Sequence, residues 1–150
     1  MCDIYLYEVP LCLYKLNKEC VHQGLIFVDQ STGQKMYVEL VFSVNEKDKK
    51  VFQDFEYGNM YEKKMFTIII NYKYKKQYDH IKAKYPDIVS CNKIGTVKYN
   101  CSDMYNNLKA FISQYVKTHY IYDIEPAKMM IPPLTNCQQF VKDIRKYYGF

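Results

Sequence analysis

The sequence predicts an α+β fold built on an antiparallel sheet, and three observations carry that expectation. The first is a β-hairpin. Val21-His22-Gln23-Gly24-Leu25-Ile26-Phe27-Val28 is the strongest strand signal in the chain, and the polar turn Asp29-Gln30-Ser31-Thr32-Gly33-Gln34 follows it. Met36-Tyr37-Val38-Glu39-Leu40-Val41-Phe42 then alternates, with Met36, Val38, Leu40 and Phe42 on one face. The second is a pair of amphipathic helices. One starts at Ser102 or Asp103 and carries Met104, Leu108, Phe111, Ile112 and Tyr115 at helical spacing. The other runs from Asn136 to about Tyr148, with Phe140, Val141, Ile144 and Tyr147 facing inward. The third is size: 150 residues, 49% of them hydrophobic, suit one domain with one core and exclude a disordered chain.

The remaining elements fill in around these. Ile4–Val9 alternates about Tyr and Leu and reads as a first strand, and Asn45–Lys50 is a charged loop. Met65–Asn71 reads as another strand, and Lys75–Lys84 as a short helix that Pro86 stops. Thr96–Tyr99 suggests an edge strand and Tyr120–Tyr122 a short one, while Pro132-Pro133 marks an irregular approach to the last helix. No repeat, linker or low-complexity segment interrupts the chain.

Charge and cysteine content narrow the function classes. The net charge of +5 is spread over Lys47, Lys49, Lys50, Lys63, Lys64 and the segments 73–76 and 142–146, with no arginine-rich block. That pattern reads as solvated surface, and nucleic acid is not an expected partner. Asp3, Glu8 and Pro10 stand where the apolar core of a secretion signal would run, and no window of about 18 apolar residues exists. No transmembrane segment is therefore expected, and an intracellular, cytoplasmic place is. The cysteines at 2, 12, 20, 91, 101 and 137 show no Cys-x-x-Cys spacing, which favours free thiols. Cys12, Cys20 and His22 match no common zinc spacing, so no metal or organic cofactor is implied.

The stretch that carries chemistry is Thr135-Asn136-Cys137-Gln138-Gln139-Phe140-Val141. With Thr135 or Asn136 as cap, Cys137 falls in the first turn of a helix. There the backbone N–H groups and the positive end of the helix dipole stabilise a thiolate, and the same groups can hold an oxyanion. A base must be one of three histidines. His80 lies among lysines and reads as solvated, and His119 reads as a cap at the C-terminal end of the preceding helix. His22 sits near the start of an apolar strand, which holds an imidazole in one direction as a general base requires.

Glu39 is the candidate third group. If hairpin partners sum to an odd number near 63, Gly24 faces Glu39 and His22 faces Val41. His22 and Glu39 are then diagonal neighbours on one face, about 7–8 Å apart at Cα. If the sum is even, Glu39 points away and only a Cys–His dyad remains. Ordinary strand alternation also accounts for a polar residue between Val38 and Leu40, and Asn100-Cys101-Ser102 repeats the Asn-Cys pattern before another helix. A thiol in a first helical turn is more often packing than chemistry. What raises the reading is the joint order of a hairpin histidine first and Asn-Cys-Gln-Gln-Phe last.

That order resembles the circularly permuted NlpC/P60 superfamily of papain-like thiol hydrolases, in which the histidine strand precedes the cysteine helix. Two branches are most similar. The start Asp3-Ile4-Tyr5-Leu6-Tyr7-Glu8-Val9-Pro10 leading to a histidine strand resembles the PPPDE isopeptidases, which act on ubiquitin-like conjugates. The histidine strand with Asn136-Cys137-Gln138-Gln139-Phe140-Val141 resembles the lecithin retinol acyltransferase-like proteins. The resemblance runs from about residue 3 to residue 145, is recognisable at Val21–Phe42 and Thr135–Ile144, and rests on length alone over Ser43–Lys128. The strand holding Glu39 lacks the second histidine common in the acyltransferase branch, which favours amide or peptide chemistry.

The resemblance implies a single permuted papain-like domain over residues 1–150, with Cys137 as nucleophile, His22 as base and Glu39 orienting it. It implies an acyl-thioester intermediate and a peptide, ubiquitin-like conjugate or lipid substrate. The alternative is a permuted domain without activity, serving as a protein- or RNA-binding module.

Overall fold

The computed structural model of the chain describes residues 1–10, 21–41, 58–62, 66–71, 90–122 and 132–150. Strands β1 (Cys2–Pro10), β2 (Val21–Asp29), β3 (Lys35–Val41), β4 (Gly58–Glu62), β5 (Thr67–Asn71) and β6 (Ser90–Val97) form one sheet in the order β4-β5-β3-β2-β1-β6. Every neighbouring pair in it is antiparallel. Helices α1 (Cys101–Thr118) and α2 (Cys137–Tyr148) pack on this sheet. The short strands β7 (Ile121–Tyr122) and β8 (Leu134–Thr135) pair in parallel where the chain passes from one helix toward the other. The expected α+β class with an antiparallel sheet is what the chain adopts.

Alternation decides what each strand buries. Ile4, Leu25, Phe27, Met36, Val38, Leu40, Ile68 and Ile70 belong to one core with Met104, Leu108 and Ile112 of α1 and Phe140, Val141 and Ile144 of α2. Residues of the opposite parity, Ile26, Tyr37, Glu39 and Ile69, are buried outside that cluster. The sheet is therefore covered on both faces at its centre, which lets a polar residue such as Glu39 be enclosed.

The β2–β3 turn follows from its residues. Asp29 Oδ1 accepts from the Ser31 N–H at 2.9 Å and the Ser31 hydroxyl at 2.7 Å, and the Asp29 carbonyl accepts from Gly33 N–H at 2.8 Å. Gly33 takes φ 71°, a left-handed conformation that glycine adopts without cost. These bonds fix the register: Leu25 pairs with Val38, Ile26 with Tyr37 and Phe27 with Met36, so partner numbers sum to 63. This is the odd sum that places His22 and Glu39 on one face.

Both helices open on asparagine. Asn100 caps α1, its side chain accepting from Asp103 N–H at 2.8 Å, and Asn136 caps α2 in the same way toward Gln139 N–H at 2.8 Å. α1 thus starts at Cys101, before the expected Ser102 or Asp103. His119 closes α1 as expected, with Nδ1 3.2 Å from the Tyr115 carbonyl and its ring stacked on Tyr115 at 3.8 Å. α2 ends at Gly149, whose φ of 77° suits a left-handed cap and whose N–H reaches the Arg145 carbonyl at 2.8 Å.

Other expectations shift. The edge strand expected at Thr96–Tyr99 is β6, which runs earlier and longer, because it pairs along most of β1 from Glu8 to Cys2. Tyr147, expected inward, is 57% exposed: it lies three residues past Ile144 on the flank of the buried stripe, against Phe111 and Tyr148. The helix expected at Lys75–Lys84, with His80, lies outside the described residues, as do Cys12, Cys20 and Phe42. Among the described residues no helix is long and apolar enough to cross a membrane.

Leu108 is fully buried at the α1–sheet contact. Leu108→Ala should cost about 2–5 kcal/mol in urea unfolding, through lost burial and the cavity left behind. Asn100→Ala should cost about 1 kcal/mol, the value of one N-cap.

Candidate active site

Three adjacent strands and the end of the chain meet at one place. His22 stands at the start of β2, Glu39 in β3 and Tyr7 in β1, where Tyr7 pairs with Gly24 and Val9 with His22. Cys137 is the first residue of α2. The sequence-predicted residues Cys137, His22 and Glu39 are all brought together here.

The contacts run in a line. His22 Nε2 lies 2.9 Å from Glu39 Oε2, and the Cys137 thiol is in hydrogen-bonding contact with the same imidazole. Glu39 thus holds one nitrogen of the imidazole, an arrangement that can fix its tautomer and orientation.

Burial and charge act against each other in this line, and charge prevails. Glu39 is 3% exposed, and burial alone would push its carboxyl up; the hydrogen bond and charge of His22, with the Tyr7 hydroxyl, hold it below the usual carboxylate range. Burial likewise favours neutral His22, yet its contacts with Cys137 and Glu39 raise the imidazole to about 10. Burial favours protonated Cys137, but the His22 hydrogen bond and charge, then the backbone N–H groups of Gln23 and Gln138, bring the thiol below its ordinary 9.0. The contacts thus bias the pair toward a thiolate beside an imidazolium, backed by a carboxylate.

Local structure aims Cys137. Thr135 and Asn136 are buried, and the Asn136 side chain and carbonyl receive the N–H groups of Gln139 and Phe140. The N–H of Gln138 is the first-turn amide turned toward the sulfur. Behind this turn, the Tyr115 hydroxyl contacts Thr135 Oγ1 and donates to Asp143 Oδ2, each at 2.7 Å, while Gln139 Nε2 donates to Asp143 Oδ1 at 2.9 Å. Thus α1 holds the entry to α2 through buried polar bonds, and the thiol inherits that rigidity.

Sequence reasoning missed Tyr7. Its hydroxyl donates to the same Oε2 that meets His22, and its ring stands edge-on to His22 and to Tyr37, with centroids 6.0 and 5.3 Å apart. A signal existed in Gly24. A Cβ at position 24 would overlap the Tyr7 ring and hydroxyl, so glycine is what lets the phenol lie across β2 to reach Glu39. Tyr122, half-buried in β7, was also missed; burial raises its hydroxyl, and the charge of Cys137 raises it further.

Gly24→Ala should therefore cost about 1–3 kcal/mol in urea unfolding, by driving Tyr7 off Glu39. The Gly24→Ala/Tyr7→Ala pair should be strongly non-additive, because removing the ring removes the clash. Simple addition of the two single effects would show that the ring does not lie over Gly24.

No family model matches the chain, and neither the curated proteins nor the solved structures give a match.

Proposed function

We propose that the chain is a cysteine-nucleophile hydrolase or acyltransferase working through an acyl-thioester, with Cys137 as nucleophile, His22 as acid and base and Glu39 as the group that orients it. The observation that carries this reading is the unbroken line from the Cys137 thiol through His22 to Glu39, with the thiol lowered and the imidazole raised. The absence of a second histidine in β3 favours a peptide, isopeptide or amide substrate over a lipid ester.

Cys137 Sγ adds to the substrate carbonyl carbon, forming a C–S bond as the carbonyl π pair moves to oxygen. The N–H groups of Gln138 and Gln23, which already attend the sulfur, stand beside the developing oxyanion. Collapse breaks the bond to the leaving group, which takes the His22 proton, and an acyl-thioester and neutral imidazole remain. His22 then removes a proton from water or another acceptor as it attacks the thioester, and the thiolate–imidazolium pair is restored. Glu39 keeps its charge throughout and favours His22 in its protonated form.

A second reading, a binding module that has kept the site without turnover, has one observation in its favour: Cys137 is 6% exposed. A carbonyl electrophile separates the two. A ubiquitin-like or short peptide probe with a C-terminal electrophile should label Cys137 in preference to the five other cysteines. Labelling should vanish in Cys137→Ala and fall about a hundredfold in His22→Ala, the low end of a general base's usual contribution. Uniform labelling of exposed thiols would support the module.

The pH dependence carries a sign. Thiolate at Cys137 is gained as pH rises through its lowered value, so iodoacetamide labelling should begin at lower pH than for an ordinary thiol of 9.0. Turnover that needs the imidazolium should be lost as pH rises through about 10. Glu39→Gln removes the negative charge behind His22, so the alkaline limb should move down in pH. An unmoved alkaline limb would remove Glu39 from the site.

A further inference from the structure

A second buried cluster lies at the other end of the same strands. Cys2 begins β1, Asp29 ends β2 and Cys101 begins α1; their two sulfurs and carboxylate lie within 4.8 Å of one another, and all three residues are buried. Tyr7 is five residues along β1 from Cys2, about 17 Å at roughly 3.3 Å per residue, so this cluster is separate from the thiol–imidazole line. We propose that Cys2, Asp29 and Cys101 form a site for one thiophilic divalent cation of the zinc class, with the Gln34 carbonyl as fourth donor.

The spacing suits such an ion. Cys2 Sγ and Cys101 Sγ are 3.9 Å apart, and an ion about 2.3 Å from each would subtend an angle of about 116°, close to tetrahedral. The Gln34 carbonyl oxygen is 3.3 Å from Cys101 Sγ, near the roughly 3.5 Å sulfur–oxygen edge of the same tetrahedron. Asp29 is oriented for the remaining corner. Oδ1 accepts from Ser31 N–H at 2.9 Å, Ser31 Oγ at 2.7 Å and Thr32 N–H at 3.3 Å, whereas Oδ2 accepts only the Cys101 N–H at 3.1 Å among the described residues. Those bonds aim the carboxylate as outer partners aim a metal ligand. Two soft sulfurs select a zinc-like ion over magnesium or calcium.

Charge favours the cation over a disulfide. Binding breaks two S–H bonds, forms two metal–sulfur bonds and releases two protons to solvent, leaving two thiolates and a carboxylate around a dication. The N-terminus of α1 beside Cys101 offsets the remaining negative charge. A disulfide would need an external oxidant and a closure of the sulfurs to about 2.05 Å, and it would give Asp29 no part.

The test uses the full chain with Cys137→Ala, reduced, so that the other reactive thiol does not compete. Cadmium or zinc added at one equivalent should appear as one ion per chain in native mass spectrometry, release about two protons and raise the melting temperature. An excess of magnesium should not displace it. Alkylation in partly denaturing urea should reach Cys2 and Cys101 more slowly in the loaded protein than in the metal-free one. Cys2→Ser and Cys101→Ser, checked for folding by circular dichroism, should each lose stoichiometric uptake. Three results overturn the proposal: no stoichiometric ion, an ion that persists in the double serine variant, or a Cys2–Cys101 disulfide that forms with the metal present. The protection map uses no substitution within the cluster, so a variant that fails to fold does not shield the proposal.

Discussion

A carboxylate enclosed at the centre of a sheet is the constraint on which the candidate site rests. Ionised Glu39 would be very costly to bury alone, and the chain meets that cost with two partners from two neighbouring strands. The Tyr7 hydroxyl and His22 Nε2 converge on one oxygen, and each requires something further of the fold. Tyr7 requires glycine at position 24, and His22 requires a hairpin register in which positions 22 and 39 share a face. The polar turn at Asp29–Gln34 supplies that register. A hydrogen-bonding pattern in a surface turn thus reaches the pairing state of a buried ion.

Much of this was legible before any coordinates. The hairpin could be read because its apolar period, its turn residues and its length agreed, and locally consistent signals are the ones a sequence states clearly. The register left two parities open, and only one keeps Met36, Val38 and Leu40 in the core with Leu25 and Phe27. Tyr7 was not legible because its partner is defined by strand pairing, a non-local fact, and because a tyrosine in a strand looks like ordinary filling. The short β8 and β4 were missed for related reasons: Leu134–Thr135 is two residues long, and Gly58-Asn59-Met60-Tyr61-Glu62 has weak alternation. Their strand character comes from the neighbour they pair with.

The two Asn-Cys helix starts make an internal comparison. Asn100 and Asn136 cap their helices with the same side-chain bond, and Cys101 and Cys137 occupy the same first position. One thiol is raised by burial and the other ends below its ordinary value, though burial is the largest single influence on both. The helix terminus is common to them and cannot explain the difference. What differs is the strand residue each one meets: Asp29, a carboxylate, beside Cys101, and His22, a base, beside Cys137. The sheet, through its end or its start, assigns the chemistry of an otherwise repeated motif.

The separation of His22 and Cys137 along the chain has a consequence for the protein's birth. A ribosome emits His22, Glu39 and Tyr7 early, and the cysteine that completes the group follows about 115 residues after the histidine. At ordinary synthesis rates that interval is on the order of ten seconds. During it the half-made sheet holds an imidazole and a carboxylate but no sulfur to activate. A nascent or unfolded chain has only an ordinary thiol at position 137. The lowering of that thiol needs His22 beside the first turn of α2, so it arises when this helix docks and is lost when the helix lets go. On the proposed reading the fold itself works as a safety catch.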